Sequence, residues 1–167
     1  MPRKKQKTQN TVALFDSYVR SLRWASDRVG NTGIISFVTN GSFIHTITAR
    51  GLRGSLLDEF NEIWCFNLRG NQRTQGEISR KEGGKIFGSG SRAPVAIIFL
   101  IKNSNKKTHI IHYKDIGEYL SKEKKLEIID GIKSIQYIKD WVTIEPDMNY
   151  DWLNQKISMF TEYLPIV

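Results

Sequence analysis

The sequence predicts an α/β fold built on an open sheet, and three observations carry that expectation. Helix-like and strand-like stretches alternate between residues 11 and 68, the repeat of an open α/β sheet. The strand-like runs are continuously apolar rather than alternating, as in strands covered on both faces. At 167 residues the chain fits one domain, or one incomplete domain with an appended segment.

Residues 1–10, MPRKKQKTQN, form a basic tail. Arg3, Lys4, Lys5 and Lys7 there read as a solvated end more readily than as a phosphate-binding arm. No apolar run follows them, so the stretch is not a secretory signal. From residue 11 the pattern turns helical: Val12, Phe15, Val19, Leu22 and Val29 recur at three- and four-residue steps, with Trp24 and Ala25 beside them. Gly30-Asn31-Thr32-Gly33 stops that helix. Residues 33–39 predict a strand buried on both faces. Residues 42–60 predict a second helix with Ile44, Ile47, Leu52, Leu56, Leu57 and Phe60 inward, and residues 62–68 a second buried strand.

Residues 69–92 break the repeat. They hold six of the chain's 13 glycines and six basic residues against two acidic ones. A segment of 24 residues with so little apolar content is too long for an ordinary connection, so it is functional or mobile. The most strand-like run follows, residues 94–101. A turn at 103–107 then leads to a strand at 109–113 expected to pair back as a hairpin, which puts an antiparallel edge on the sheet. Beyond Asp115 the character is mixed. Residues 116–135 read as a charged helix, with Leu120, Leu126, Ile128, Ile129 and Ile132 apolar and lysines outside. Residues 141–144 read as a short strand closed by Pro146.

Lys and Arg total 25 against 17 acidic residues, a net charge of +8 with an isoelectric point near 9.6. Such an excess speaks about partners: nucleic acid first, an anionic membrane surface second. No apolar stretch approaches the ~18 residues of a membrane span. The lone Cys65 sits in an apolar segment and reads as a buried small hydrophobe in a reducing cytoplasm. Chemistry-bearing motifs are mostly missing. No Walker-type phosphate loop occurs, and Gly88-Ser89-Gly90 leads into a strand rather than a helix, the wrong setting for a dinucleotide fingerprint. His109 and His112 are too few for a zinc site, and His45 stands alone, so no metal and no catalytic residue is assigned.

The glycine- and arginine-rich segment is the candidate site. Arg69, Asn71, Arg73, Arg80, Lys81, Lys85 and Arg92 offer guanidinium forks, amides and ammonium groups suited to phosphate oxygens, among backbone N–H groups freed by glycine. Phe87 is the one large aromatic in it, either a stacking surface for a base or an ordinary contact at the start of the next strand.

The string RGNQRTQGEISRKEGGKIFGSGSRAPVAIIFLIK, preceded by FDSYVRSLRWASDRVGNTGIISFVTNGSFI, resembles the methyltransferase region of the type ISP restriction-modification enzymes, which carry N6-adenine DNA methyltransferases of the γ class. The resemblance is dense over about residues 11–102 and looser to about residue 154. It implies a partial Rossmann-like methyltransferase sheet, its later strands with an antiparallel hairpin edge, plus a mixed C-terminal segment. The domain division it implies is a tail at 1–10, the second half of a catalytic domain at 11–114, and a linker toward target recognition at 115–167. Asn40-Gly41-Ser42, at the carboxyl end of the first strand, becomes a pocket wall. Phe87 takes the place of the aromatic that stacks on a flipped adenine, since the target amino group must leave the duplex to meet the methyl donor.

The departures from that family are as informative. S-adenosylmethionine is bound by an early glycine-rich turn, and the target base by an Asn/Asp-Pro-Pro-Tyr/Phe motif. The chain has neither; its prolines are Pro2, Pro94, Pro146 and Pro165. The expectation is therefore a methyltransferase fragment, inactive alone, that engages double-stranded DNA. S-adenosylmethionine would belong to the complete enzyme and the missing N-terminal half would be its partner. A stand-alone basic DNA-binding module is the alternative. An α/β enzyme for a phosphorylated metabolite ranks third, because it needs a phosphate loop opening onto a helix.

Overall fold

Residues 16–88 and 90–153 are described by a computed structural model. Helix α1 (Ser17–Ser26) buries Leu22, with Ala25 and Val29 packed beside it, and turns Trp24 outward under the Arg28 guanidinium, 4.2 Å from the ring centre. The expected beginning of this helix, with Val12 and Phe15, lies outside the described residues.

Five strands form one mixed sheet: β1 (Thr32–Asn40), β2 (Glu62–Arg69), β3 (Val95–Asn103), β4 (Ile110–Asp115) and β5 (Val142–Ile144), in the order β1-β3-β2-β4-β5. Strand β3 runs antiparallel to both β1 and β2, so those two are parallel to each other, and β4 is parallel to β2. The α/β class with an open, partly parallel sheet is as expected. The hairpin is not where the sequence puts it. Strand β4 does not return to β3, whose two edges are taken by β1 and β2, and adds to the free side of β2; the antiparallel pairing at this end is β4 with β5. A turn signal at 103–107 says that the chain reverses, not which edge it returns to.

Strand β1 also departs from the expectation of burial on both faces. It is an edge strand with Ile35 buried, Phe37 half-buried, and Ile34 and Val38 67% and 57% exposed. The helical face covers one side. The layer on the other side, Ile129, Ile132, Ile138 and Trp141, reaches Phe66 and Ile97 on the inner strands but stops short of β1.

The expected helix over 42–60 is two 3-10 turns, Gly41–Ile44 and Ile47–Ala49, followed by α2 (Arg50–Glu59). The cause is Arg53, fully buried, whose Nη1 donates to the carbonyls of Phe43 and Thr46 at 2.6 and 2.9 Å, groups a continuous helix would use internally. Ile47, expected inward, is therefore 68% exposed.

The segment 69–92 contains a short helix, α3 (Gly76–Glu82). The charged helix is shorter than expected, α4 (Lys122–Gly131), begun by the Ser121 side chain accepting from the Lys124 amide at 3.2 Å. Its sides are partly exchanged: Leu126 is exposed, while Lys125 is fully buried. Trp152 closes the main core against Phe43, its ring edge-on at 5.8 Å, and Asp151 beside it binds Arg50 and Arg53. Cys65 lies in that core, where burial pushes its thiol far up in pKa, as expected of an inert hydrophobe.

Candidate nucleic-acid interface

Because β1, β2 and β4 are parallel, their carboxyl ends, at Asn40, Arg69 and Asp115, share one edge of the sheet. Open α/β sheets place ligands at such an edge. The loop from residue 70 to residue 94 is mounted there. Its far end is tied to β1 by the Gly41 amide, which donates to the Pro94 carbonyl at 2.9 Å. A Cβ on Gly41 would stand 3.3 Å from the Ala96 Cβ and the Val95 carbonyl carbon, so the close approach of this turn to β3 favours glycine.

Asn40 caps the following turn, its Oδ1 accepting from the Ser42 amide at 2.9 Å. Asn40 and Ser42 form one wall of a cleft of about 180 Å³ whose other lining includes Tyr18, Thr46, Thr48 and Arg73. Two groups far apart in the sequence, residues 40–42 and Arg73, are thus brought together. Arg73 is exposed and its side chain makes no ion pair among the described residues; its backbone amide donates to Asn71 Oδ1 at 3.0 Å. Burial, then the nearby Asp16 carboxylate, push the Tyr18 phenol up to about 12, so it stays a neutral donor in this cleft. A larger apolar groove, about 540 Å³, runs between α1 and α2 beside Trp24 and Leu56, on the helical face. Of its charged lining residues, Arg23, Asp27 and Glu59 are already paired with one another, and the edge cleft is the better candidate.

The remaining site candidates divide by what they already hold. Arg69 is committed to the fold: its Nε lies 2.7 Å from Asp115 and its Nη2 3.5 Å from Glu118. Its backbone is left-handed at φ 57°, a strained position for a residue with a Cβ. Arg80 stands 3.4 Å from Glu77 and Lys81 3.4 Å from Glu118, both at the surface where such pairs exchange readily for phosphate. Arg92 donates to the Gln72 carbonyl at 2.6 Å and ties the two arms of the loop. Lys85 is half-buried with no ion pair among the described residues. Phe87 is 53% exposed and lies well before β3 begins at Val95, so it is not the first contact of that strand; Ile86 beside it is the buried residue.

Three residues of this edge escape sequence reading: Asp115, which holds Arg69, and Lys125 and Glu82, which hold the neck of the loop. Lys125 stands in the charged run Lys122-Glu123-Lys124-Lys125, and nothing local marks one of these lysines as buried. The carboxylates on the loop side are also spoken for. Asp115 accepts from Arg69, Tyr113 and Gly117, and Glu82 from the Asn71 amide.

The fold is an open, partly parallel α/β sheet, consistent with part of a Rossmann-like methyltransferase sheet, with a cationic loop at the carboxyl ends of its parallel strands. The chain is homologous to a segment of the type ISP restriction-modification enzymes. Against a nuclease-deletion mutant of the type ISP enzyme LlaGI in complex with a DNA substrate mimic, it is 52% identical with a TM-score of 0.90, covering 95% of this chain and 13% of that one. Against the ATP-dependent type ISP enzyme LlaBIII bound to DNA, it is 42% identical with a TM-score of 0.87, over 94% of this chain and 11% of that one. The DrdV–DNA complex gives 35% identity and a TM-score of 0.82, over 89% and 14%. No protein-family model matches the chain, and no curated protein sequence does. No described helix is long and apolar enough to cross a membrane.

Proposed function

We propose that the chain is the second half of an N6-adenine DNA methyltransferase domain of a restriction-modification enzyme, supplying the DNA-facing loop and one wall of the flipped-base pocket. The observation that carries this reading is the cleft at the carboxyl edge of β1, where Asn40 and Ser42 face Arg73, a cation with no ion pair among the described residues, on the loop that also bears the exposed Phe87. That LlaGI is seen in complex with a DNA substrate mimic and LlaBIII bound to DNA supports DNA as the partner. In this reading Arg73 and the surface lysines and arginines of the loop neutralise phosphates and set register, and Phe87 stacks on the extruded adenine. S-adenosylmethionine, the methyl donor, is held by the other half of the domain.

That other half has a seat. Among the described residues no strand pairs with the outer edge of β1, and Ile34 and Val38 are exposed along it. An open apolar edge is a template for strand addition. A self-contained binding module would need its sheet closed or its edge blunted, so this edge favours the fragment over the stand-alone module.

The test combines the chain with a separately purified first half of a type ISP methyltransferase domain, duplex DNA and S-adenosylmethionine labelled in its methyl group. Label should enter adenine only when both polypeptides are present. A mixture that forms a complex yet transfers no methyl group sinks the reading, and label in cytosine would overturn the adenine assignment. Val38→Lys, which sets a charge on the open edge, should lower transfer in the mixture at least tenfold while duplex binding by the chain alone is unchanged. Equal activity would remove β1 as the docking edge.

Duplex affinity should fall steeply with salt, and Arg73→Gln should reduce the slope of log K against log salt by about 0.9, one phosphate contact. Arg69→Gln should leave the slope alone and lower thermal stability instead, because Arg69 is spent on Asp115. A changed slope for Arg69 would mean that its ion pair opens to DNA.

A further inference from the structure

Helix α3 buries no side chain, so polar contacts hold it over the sheet edge: Tyr119 meets it at Glu77 and at the Lys81 carbonyl, and the residues that flank it are bonded as well. The exit of the loop meets one buried group, and the entry is tied to it through Glu82. Where the loop leaves β2, the Gly70 amide donates to the Glu82 carbonyl at 3.1 Å and the Asn71 amide to Glu82 Oε2 at 2.9 Å. Where it leaves α3, the Gly84 amide donates to the Leu120 carbonyl at 2.9 Å. The Lys125 Nζ, reaching up from α4, donates to the carbonyls of Glu82 and Gly84 at 2.7 and 2.8 Å.

We propose that Lys125 is a positioning residue for the DNA-facing loop, the pin at which the entry and exit of residues 70–84 are locked onto α4. This rests on the DNA-binding reading above. The physical case is threefold. The carbonyls that Lys125 takes stand at and just past the carboxyl end of α3, where they have no partner within the helix and where the helix dipole favours a cation. The fit is close: a Cβ on Gly83 would stand 2.1 Å from the Leu120 carbonyl oxygen, and one on Gly84 2.4 Å from the Lys122 amide nitrogen, so the loop lies directly on the segment 120–122. The facing charges are Glu82 and Asp115, which favour the ammonium, and Arg69, which with burial opposes it; the balance brings its pKa down to about 8, so it is charged at neutral pH. The shape of the loop is thus set from outside its own sequence, by the segment that follows the sheet.

The experiment compares the chain with its Lys125→Met variant, which keeps the buried stem and removes the ammonium. Amide hydrogen exchange over residues 70–88 should quicken at least tenfold while β2 and β3 stay protected. Duplex affinity should fall several-fold with an unchanged salt slope, because Lys125 touches no phosphate. Exchange that is unchanged in the loop, or raised equally throughout the sheet, overturns the pin. A salt slope lowered by about one would make Lys125 a phosphate contact and overturns it as well. Should Lys125→Met fail to fold, Gly84→Ala disturbs the same seat from the loop side and must reproduce the localised exchange, or the proposal falls. If the chain binds no duplex at all, the DNA reading fails by itself and the exchange result still decides the pin.

Discussion

Exchanging Arg53 for methionine is expected to cost about 3–5 kcal/mol of unfolding free energy, the range for removing one partner of a buried ion pair. The guanidinium is fully buried and satisfies four acceptors: the carbonyls of Phe43, Thr46 and Tyr150 and the carboxylate of Asp151, the last at 2.6 Å. Without it the carbonyls of Phe43, Thr46 and Tyr150 lose the guanidinium, the first of them buried, and Asp151 loses one of its two arginine partners while Arg50 remains at 2.5 Å. Urea unfolding of the two proteins measures the difference, and a loss under about 1 kcal/mol would show that the clamp is redundant. The same clamp gives a pH dependence. The hydrogen bond from Arg50 first, then the charges of Arg50 and Arg53, hold the Asp151 carboxyl below the usual carboxylate range against the opposing effect of burial. A carboxylate whose folded pKa is depressed adds stability above its unfolded value, about 4, and loses it as pH falls through the folded value. Wild type should therefore lose stability more steeply than Asp151→Asn below about pH 4. Parallel curves would remove Asp151 as the cause.

In a reconstituted domain, Phe87→Ala should reduce methyl transfer to adenine by roughly 5- to 150-fold, the worth of about 1–3 kcal/mol of base stacking. Affinity for S-adenosylmethionine should stay nearly unchanged, since the substitution removes a surface for the base alone. Phe87 is more than half exposed and its immediate neighbour Ile86 supplies the anchoring, so the folded loop should survive the change. Folding is checked by the thermal transition, activity by initial rates, and cofactor affinity by equilibrium binding. A matching loss of cofactor affinity would place Phe87 in the wrong pocket. Retained activity would leave it as a surface aromatic. Together with Lys125→Met this separates two ways to weaken the same loop: one removes a contact to the base, the other removes the seat that holds the contact in place.

Much of the framework was legible in the residues. The apolar runs at 33–39, 62–68 and 94–101 are strands, and the break at 69–92 is the loop over the ligand edge. Asn40-Gly41-Ser42 was legible as a strand end with a turn, and Arg73 as a cation, but not that the two face one cleft. The roles of Arg53 and Lys125 were hidden, because a buried cation looks in sequence like a surface one. Its partners are backbone carbonyls, which every residue has, or an acid nearly a hundred positions away, as Asp151 is from Arg53.

The sequence by itself determined where the strands form and roughly where the helices lie, the excess of positive charge, the cationic loop and the likeness to the type ISP methyltransferase region. These depend on side-chain hydrophobicity, period and local turn chemistry, which neighbouring residues settle among themselves. Only the tertiary structure decided that β3 lies between β1 and β2, that no strand among the described residues pairs with the outer edge of β1, and which cations hold the fold and which stay exposed. Strand order, edge exposure and ion pairing are long-range choices, fixed when distant segments compete for the same backbone groups and the same buried space.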